Sequence, residues 1–439
     1  MKNKKLIIIL ISILIILSIG IYFVFNKSIN TNNTSVTSII KSEIENIDWS
    51  SYDSEEITLT KSVEITKEGV YQLTGTITDG YIYISTDGNV KLILNNVTIT
   101  NSSGPAIYVE NAKNVEISTV SDTSNTLTDG ASYKNYDEDV NGCIFSKDDL
   151  ILSGEGTLKV IGNYEDGIVS KDDLEITSGT YIIDAKNNGI KGKDSVTIEN
   201  GTFTISSLGD AIVATNDTDD TKGYILINNG NFNIKTTGNT NSVSAKGIKA
   251  VTQIEINGGT FEINTTDDGI HTDGNIVINN GNITINSKDD GIHADGLIEI
   301  DNGTFNITAA EGIEATYVKI NDGNIDISAS DDGINAGRKS TNYEVTIEIN
   351  GGNITIKMGQ GDTDGIDSNG NIYINGGTVN ITGQSPFDYD GEAKYTGGTI
   401  IVNGEKTNTI TNQFMGGGMV QGMPQDRNMD QGNGGRRMR

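Results

Sequence analysis

Cysteine, histidine and arginine are nearly missing from this chain: Cys143 stands alone, His271 and His293 are the only histidines, and Arg338 is the only arginine before the segment Met415–Arg439. A lone cysteine forms no internal disulfide. Without a thiolate pair or a third histidine, the usual make-up of a zinc centre is a poor fit as well. Basic residues are also outnumbered, 31 Lys and Arg against 59 Asp and Glu, for a net charge of −28. Leaving out Lys2, Lys4, Lys5 and Lys27 at the amino end gives 27 against 59, a net of −32. Phosphate recognition rests on clustered Lys and Arg, so nucleic acid is excluded as an expected partner. Only 35% of residues are hydrophobic and 53 are glycine. That composition is lean for a ball-shaped core and sufficient for a solenoid, whose interior is a line.

What is present is a repeat. Asp267-Asp268-Gly269-Ile270-His271 returns as Asp289-Asp290-Gly291-Ile292-His293. With weaker copies included, the repeat glycines are Gly167, Gly189, Gly247, Gly269, Gly291, Gly312, Gly333 and Gly365, with differences of 22, 58, 22, 22, 21, 21 and 32. Ala211 takes the glycine's place in one further copy and splits the 58 into 22 and 36. A period near 22 means one supersecondary unit per repeat, burying its apolar face against its neighbours.

Within one period the alternation of apolar and polar residues has period 2, which is strand and not helix. It predicts strands over Gly269–Thr272, Asn275–Ile278 and Asn282–Ile285. Asn-Gly and Asp-Gly corners recur at Asn279-Asn280-Gly281, Asp301-Asn302-Gly303, Asn321-Asp322-Gly323, Asn350-Gly351-Gly352 and Asn375-Gly376-Gly377; these residues tolerate positive φ. At about 3.3 Å per residue, a repeat of this length is too short for a four-stranded propeller blade and fits one triangular turn of a parallel β-helix. A leucine-rich repeat would need recurring leucines and a helical stretch. The series Phe203, Phe232, Phe261, Ile283, Phe305, Ile325, Ile354 and Val379 holds one place in successive rungs and is expected to stack inside.

The chain divides into 1–27, a signal or anchor; 28–48, a polar linker; 49–130, a cap and first irregular coils; 131–412, the β-helix with acidic repeats; and 413–439, a Gly/Met/Arg tail expected to be disordered. The uncharged apolar run Leu6–Phe25 is long enough to span a bilayer, and the lysines ahead of it place the folded body outside the cytoplasm. A signal peptide would be shorter and end in small residues, whereas this run ends in Ile21-Tyr22-Phe23-Val24-Phe25, which favours an uncleaved anchor.

Acid written into each rung is the feature that bears on function. With the isoleucine inward, His271 and His293 face outward one rung apart. Rungs lie about 4.8 Å apart. Two carboxylates at that spacing repel by roughly 3 kcal/mol at an effective dielectric of about 20. A divalent cation among the rungs would relieve this, and calcium suits a flexible set of Asp, carbonyl and water oxygens. The candidate ligands are Asp267, Asp268, Asp273, Asp289, Asp290 and Asp295, with Asp331 and Asp332 as a further level. The alternative reading is ordinary turn chemistry, each Asp capping its own backbone before glycine; it explains Asp-Gly better than the doubled Asp-Asp. Two acidic insertions, Asn216-Asp217-Thr218-Asp219-Asp220 and Gly361-Asp362-Thr363-Asp364, lack the Glu that a calcium-binding helix-loop-helix requires.

The Asp-Asp-Gly-Ile repeat, the Asn257–Phe261 type of corner, the opening Gly69–Thr76 and the Gly/Met/Arg tail together resemble one family. This is the calcium-containing, carbohydrate-binding parallel β-helix proteins of bacterial cell surfaces, which bind polygalacturonate and cellulose and are distant relatives of polysaccharide lyases. The resemblance covers about Trp49–Arg439 and implies an all-β, right-handed coil, bound Ca2+, and an acidic plant cell-wall polysaccharide held without cleavage. Lys249, His271, His293 and Glu314 are the residues expected to meet that ligand. A calcium-assisted lyase is the alternative, with Lys191, Lys249 or Arg338 as base within reach of the proton beside a uronate carboxylate. A surface adhesin or spacer is the third reading. Glycoside hydrolysis would ask for carboxylates about 5 or about 6.5–9.5 Å apart; a ladder offers such pairs anywhere without separating an acid from a base.

Overall fold

In the computed structural model, residues 47–412 are described apart from 241 and 361–362, together with 38, 39 and 44. The expected anchor Leu6–Phe25 and the tail 413–439 lie outside the described residues. No helix among the described residues is long and apolar enough to cross a membrane.

Forty strands form one continuous sheet. The 3₁₀ turn Trp49–Ser51 is the only helical piece among the described residues. Most rungs of the period-22 region have three short strands, and in two rungs the first two run together, as Ile292–Ile300 and Ile313–Ile320. In one rung the three are Ile270–Thr272, Asn275–Ile278 and Asn282–Asn286, those predicted from alternation to within a residue at each boundary. Each pairs in parallel with its counterpart one rung on, as Ile270 with Ile292, Ile276 with Ile298 and Ile283 with Phe305. The one antiparallel pairing among the described residues joins Thr399–Val402 to Glu405–Thr407, after the last parallel rung. The fold is a parallel β-helix, as the repeat required. Parallel stacking begins already at Ser54–Leu59 on Gly69–Ile77, ahead of the acidic repeats.

The core is a line of in-register side chains. Ile270, Ile276 and Ile278 are fully buried, and Ile283 and Ile285 nearly so. The Phe203-to-Val379 series is inside, 0–3% exposed, and Tyr181 extends it by one rung. Rings stack down the axis, Phe203 on Phe232 at 4.7 Å and Phe232 on Phe261 at 4.5 Å, with planes within 3° of parallel.

Two sets of glycines serve two different needs. At the corners Gly259 and Gly303 take φ of 110° and 130°, which a side chain would resist. The repeat glycines are needed for space. A Cβ on Gly269 would lie 2.6 Å from both the Gly291 carbonyl oxygen and Ile285 Cγ2. Gly247, Gly291, Gly312 and Gly333 meet the next rung's carbonyl oxygen at 2.4–2.5 Å in the same way.

The strand that follows each repeat glycine makes up the first face of the coil. Insertions border it: 131–141 and 237–246 lead into it, and 215–223 and 337–345 leave it. The Asn216 insertion is closed by its own turn, Asn216 Oδ1 accepting from the backbone N–H of Thr218 at 3.0 Å and Asp219 at 3.1 Å.

Candidate functional site

Two columns run along the first face. One is the residue just before each repeat glycine: Asp166, Asn188, Asp210, Lys246, Asp268, Asp290, Glu311, Asp332 and Asp364. Its side chains cap the rung below. Asp166 Oδ1 accepts from the backbone N–H of Asn188 at 2.9 Å, Asn188 Oδ1 from Asp210 at 3.0 Å, and Asp210 Oδ1 from Lys246 at 2.8 Å. Asp268 Oδ1 accepts from Asp290 at 3.1 Å and Asp332 Oδ1 from Asp364 at 2.9 Å. One oxygen of each such Asp is spent on the sheet, and the other is left for side-chain chemistry.

The second column, two places after the glycine, points outward. Lys249 is in register with His271, His271 with His293, His293 with Glu314, Glu314 with Asn335, and Asn335 with Asp367. All four residues expected to meet ligand, Lys249, His271, His293 and Glu314, therefore occur in four successive rungs of one column. The two imidazoles face each other at 4.8 Å.

The eight candidate metal ligands fall into groups. Asp267 and Asp268 are bridged by Lys246, whose Nζ is 2.7 Å from one and 2.8 Å from the other. Asp289 comes within reach of the same pair. His271 lies between Asp268, 2.8 Å from Nδ1, and Asp273, 3.3 Å from Nε2. One rung on, His293 Nδ1 is 2.7 Å from Asp290 and 3.1 Å from Glu314, with Asp295 3.6 Å from Nε2. Asp331 is exposed; Asp332 is half-buried, two rungs beyond Asp290 in the capping column.

Charge changes character along this face. Burial by itself would raise the Asp268 carboxyl, yet the His271 hydrogen bond and the Lys246 ammonium overcome it and hold the group well below the usual range. The same contacts, from Asp268 and Asp273, raise His271 against the effect of its own burial. Below Asp268 the compensation runs out. Burial, with Asp268 and Glu314 nearby, pushes Asp290 up to about 6 despite His293. Burial, with Glu314, Asp290 and Asp332, pushes Glu311 up to about 8. Asp332 rises to about 6 and Asp367 to about 7, both chiefly through burial and then through neighbouring aspartates. Lys339, 2.7 Å from Glu314 Oε1, is the cation facing this stretch.

Within it, Asn335 donates its amide N–H to Glu311 Oε2 at 2.9 Å and to Glu314 at 3.4 Å. That orientation leaves Asn335 Oδ1 buried and accepting no hydrogen bond among the described residues. An amide oxygen without a donor, beside crowded carboxylates, fits the donor set of a hard cation. The lysines considered as bases are ion-paired, Lys191 to Asp166 at 3.4 Å and Lys249 to Asp210 at 3.9 Å.

Lys246, Glu311, Asn335 and Asp367 were not among the residues singled out in the sequence. A signal existed: read strictly by offset from the repeat glycine, Lys246 and Glu311 share the Asp268 row, and Asn335 and Asp367 share the His271 row.

The sequence model of the carbohydrate-binding domain-containing proteins matches residues 60–241, 227–291 and 283–415, and the chain belongs to that family. A carbohydrate-binding domain-containing protein of Acetivibrio thermocellus is 37% identical over 130 residues, which are 28% of this chain and 46% of that protein. The match thus spans less than half the length of that relative. A solved structure described as the polysaccharide lyase-like protein from C. thermocellum, gadolinium derivative, is 29% identical and covers 58% of this chain and 91% of its own, with a TM-score of 0.44.

Proposed function

We propose that this is an extracytoplasmic, membrane-tethered and non-catalytic binder of acidic, polygalacturonate-like polysaccharide, with calcium on the first face joining protein carboxylates to uronate carboxylates. The observation that carries the reading is the stretch around Asn335, which Lys339 compensates only in part: raised carboxyls at Asp290, Glu311, Asp332 and Asp367, and a buried amide oxygen with no donor among the described residues. Glu311, Glu314 and Asn335 would hold the ion, with Asp290 and Asp332 beside them. Bound there, calcium supplies positive charge and open coordination positions that water or a uronate can fill. Asp267 and Asp268 serve differently, since Lys246 already bridges them and offsets part of their charge; that end of the column orients His271 and offers Lys249 to the ligand. The anchor rests on the apolar run Leu6–Phe25.

Retention of the purified protein on immobilised polygalacturonate, with calcium and with chelator, tests this, while ultraviolet absorbance of unsaturated uronates reports any elimination. Retention that chelator abolishes, without absorbance, is expected. Retention indifferent to chelator would refute the bridging, and steady growth of absorbance would move the protein to the lyases.

A further inference from the structure

Above the charged stretch, the outward column of the first face becomes aromatic. Tyr83 is in register with Tyr108, and Tyr108 with Phe145. The insertion 131–141 folds back over these rungs. Its Val140 is buried on Phe145 and Val169, which accounts for the lower part of the patch as packing. The upper rings, Tyr83 and Tyr136, pack against that cluster with only part of their surface and leave the rest open. Tyr83, Tyr136 and Tyr81 stay half-buried and line an open cleft of about 470 Å³ with Tyr108, Glu110 and Lys134. Tyr83 and Tyr136 each lie 5.6 Å from Tyr108, tilted by 59° and 72°, so the rings form walls and not a single stack.

We infer that this cleft is a second glycan subsite, one for a neutral pyranose unit. Its volume suits a small ligand. Aromatic faces carry partial negative charge and attract the C–H groups that line one face of a sugar ring, while hydroxyls at the ring's edge find carboxylate and ammonium partners at the rim. The rim offers a uronate no surplus of positive charge. Lys147 is committed to Glu110 at 2.8 Å and faces Asp137 at 3.6 Å, so with Lys134 an arriving carboxylate meets two carboxylates and two ammoniums. Tyr108 donates its hydroxyl to Glu110, which fixes that carboxylate against the cleft wall. The cleft falls within the family match at 60–241. The inference rests on the carbohydrate binding of that family and is independent of calcium. Its place on the same face as the acidic stretch lets one polymer with neutral and charged segments engage both.

Isothermal titration calorimetry of the purified full chain with cellohexaose, xylohexaose and mannohexaose, each with and without chelator, is the test. At least one is expected to bind with Kd below about 1 mM, unchanged by chelator. Tyr83→Ala and Tyr136→Ala should each weaken it by about tenfold or more, while Tyr83→Phe stays within about threefold and retention on polygalacturonate is unaltered. Tyr136 stands in the insertion outside the coil, so its variant decides the matter if Tyr83→Ala does not fold. Binding to none of the three, or full affinity in a folded Tyr136→Ala protein, would overturn the inference. Loss of polygalacturonate retention in wild-type protein would instead strike the calcium reading and leave this one standing.

Discussion

Asp268 accepts the backbone N–H of Asp290, one rung further on, through Oδ1 at 3.1 Å. This contact joins the two readings of the acidic repeat. Asp166, Asp210, Asp268 and Asp332 are indeed spent on turn chemistry, but on the next rung's backbone and not their own. Because only one oxygen is used, Asp268 still reaches Lys246 and His271 with the other.

Removing that side chain should therefore cost more than a surface charge would. Asp268→Ala strands a buried N–H and halves the pairing of Lys246, for an expected loss of about 2–4 kcal/mol in chemical denaturation. Asp268→Asn can keep the bond to Asp290 and should lose about half as much. Equal losses in the two variants would show that the cap contributes nothing.

The repeat glycines make a steric prediction. Gly269→Ala brings a methyl to within 2.6 Å of the Gly291 carbonyl oxygen, yet fully buried Ala211 occupies the same row elsewhere. The coil thus yields to one methyl, at an expected cost of about 1–2 kcal/mol with an unchanged far-ultraviolet spectrum. A stabilised Gly269→Ala protein would contradict the close approach of the rungs.

Stability should depend on pH in a direction set by the lower column. Asp290, Glu311, Asp332 and Asp367 titrate at about 6, 8, 6 and 7 in the folded chain, against ordinary values of 3.8 for Asp and 4.5 for Glu. Between those limits the folded state holds more protons than the unfolded one, so stability is full below about pH 4 for these groups and is lost as pH rises towards about 8. Asp268, held low, works oppositely and loses its contribution only in stronger acid. Metal-free protein should melt several degrees lower at pH 8 than at pH 5.5, and calcium should restore most of the difference at pH 8. A melting temperature that climbs steadily over this range without calcium would rule the assignment out.

Glu311→Gln separates charge from shape. It removes a strongly raised carboxyl while keeping the side chain's size. Metal-free variant should melt at or above wild type at pH 8 and bind calcium about tenfold or more weakly. Unaltered calcium affinity would place the ion elsewhere.

The fold was legible because a β-helix repeats one local rule: alternation set each strand, Asn-Gly set each corner, and the Phe203–Phe232–Phe261 series set the axis. The site was legible by half. His271 and His293 were bound to face outward together, since the period fixes register. Lys246 falls in the Asp268 row by the 22-residue spacing from Gly247 to Gly269, but its bridging of Asp267 and Asp268 emerges only when the rungs are stacked. The tyrosine cleft was hidden, as Tyr136 belongs to an insertion whose path no periodicity dictates.

Anomalous diffraction from crystals grown with calcium tests the central claim most directly. The account predicts a peak about 2.3–2.6 Å from Asn335 Oδ1 and from oxygens of Glu311 or Glu314. A first face free of any peak, with Asn335 Oδ1 satisfied by water alone, would contradict it.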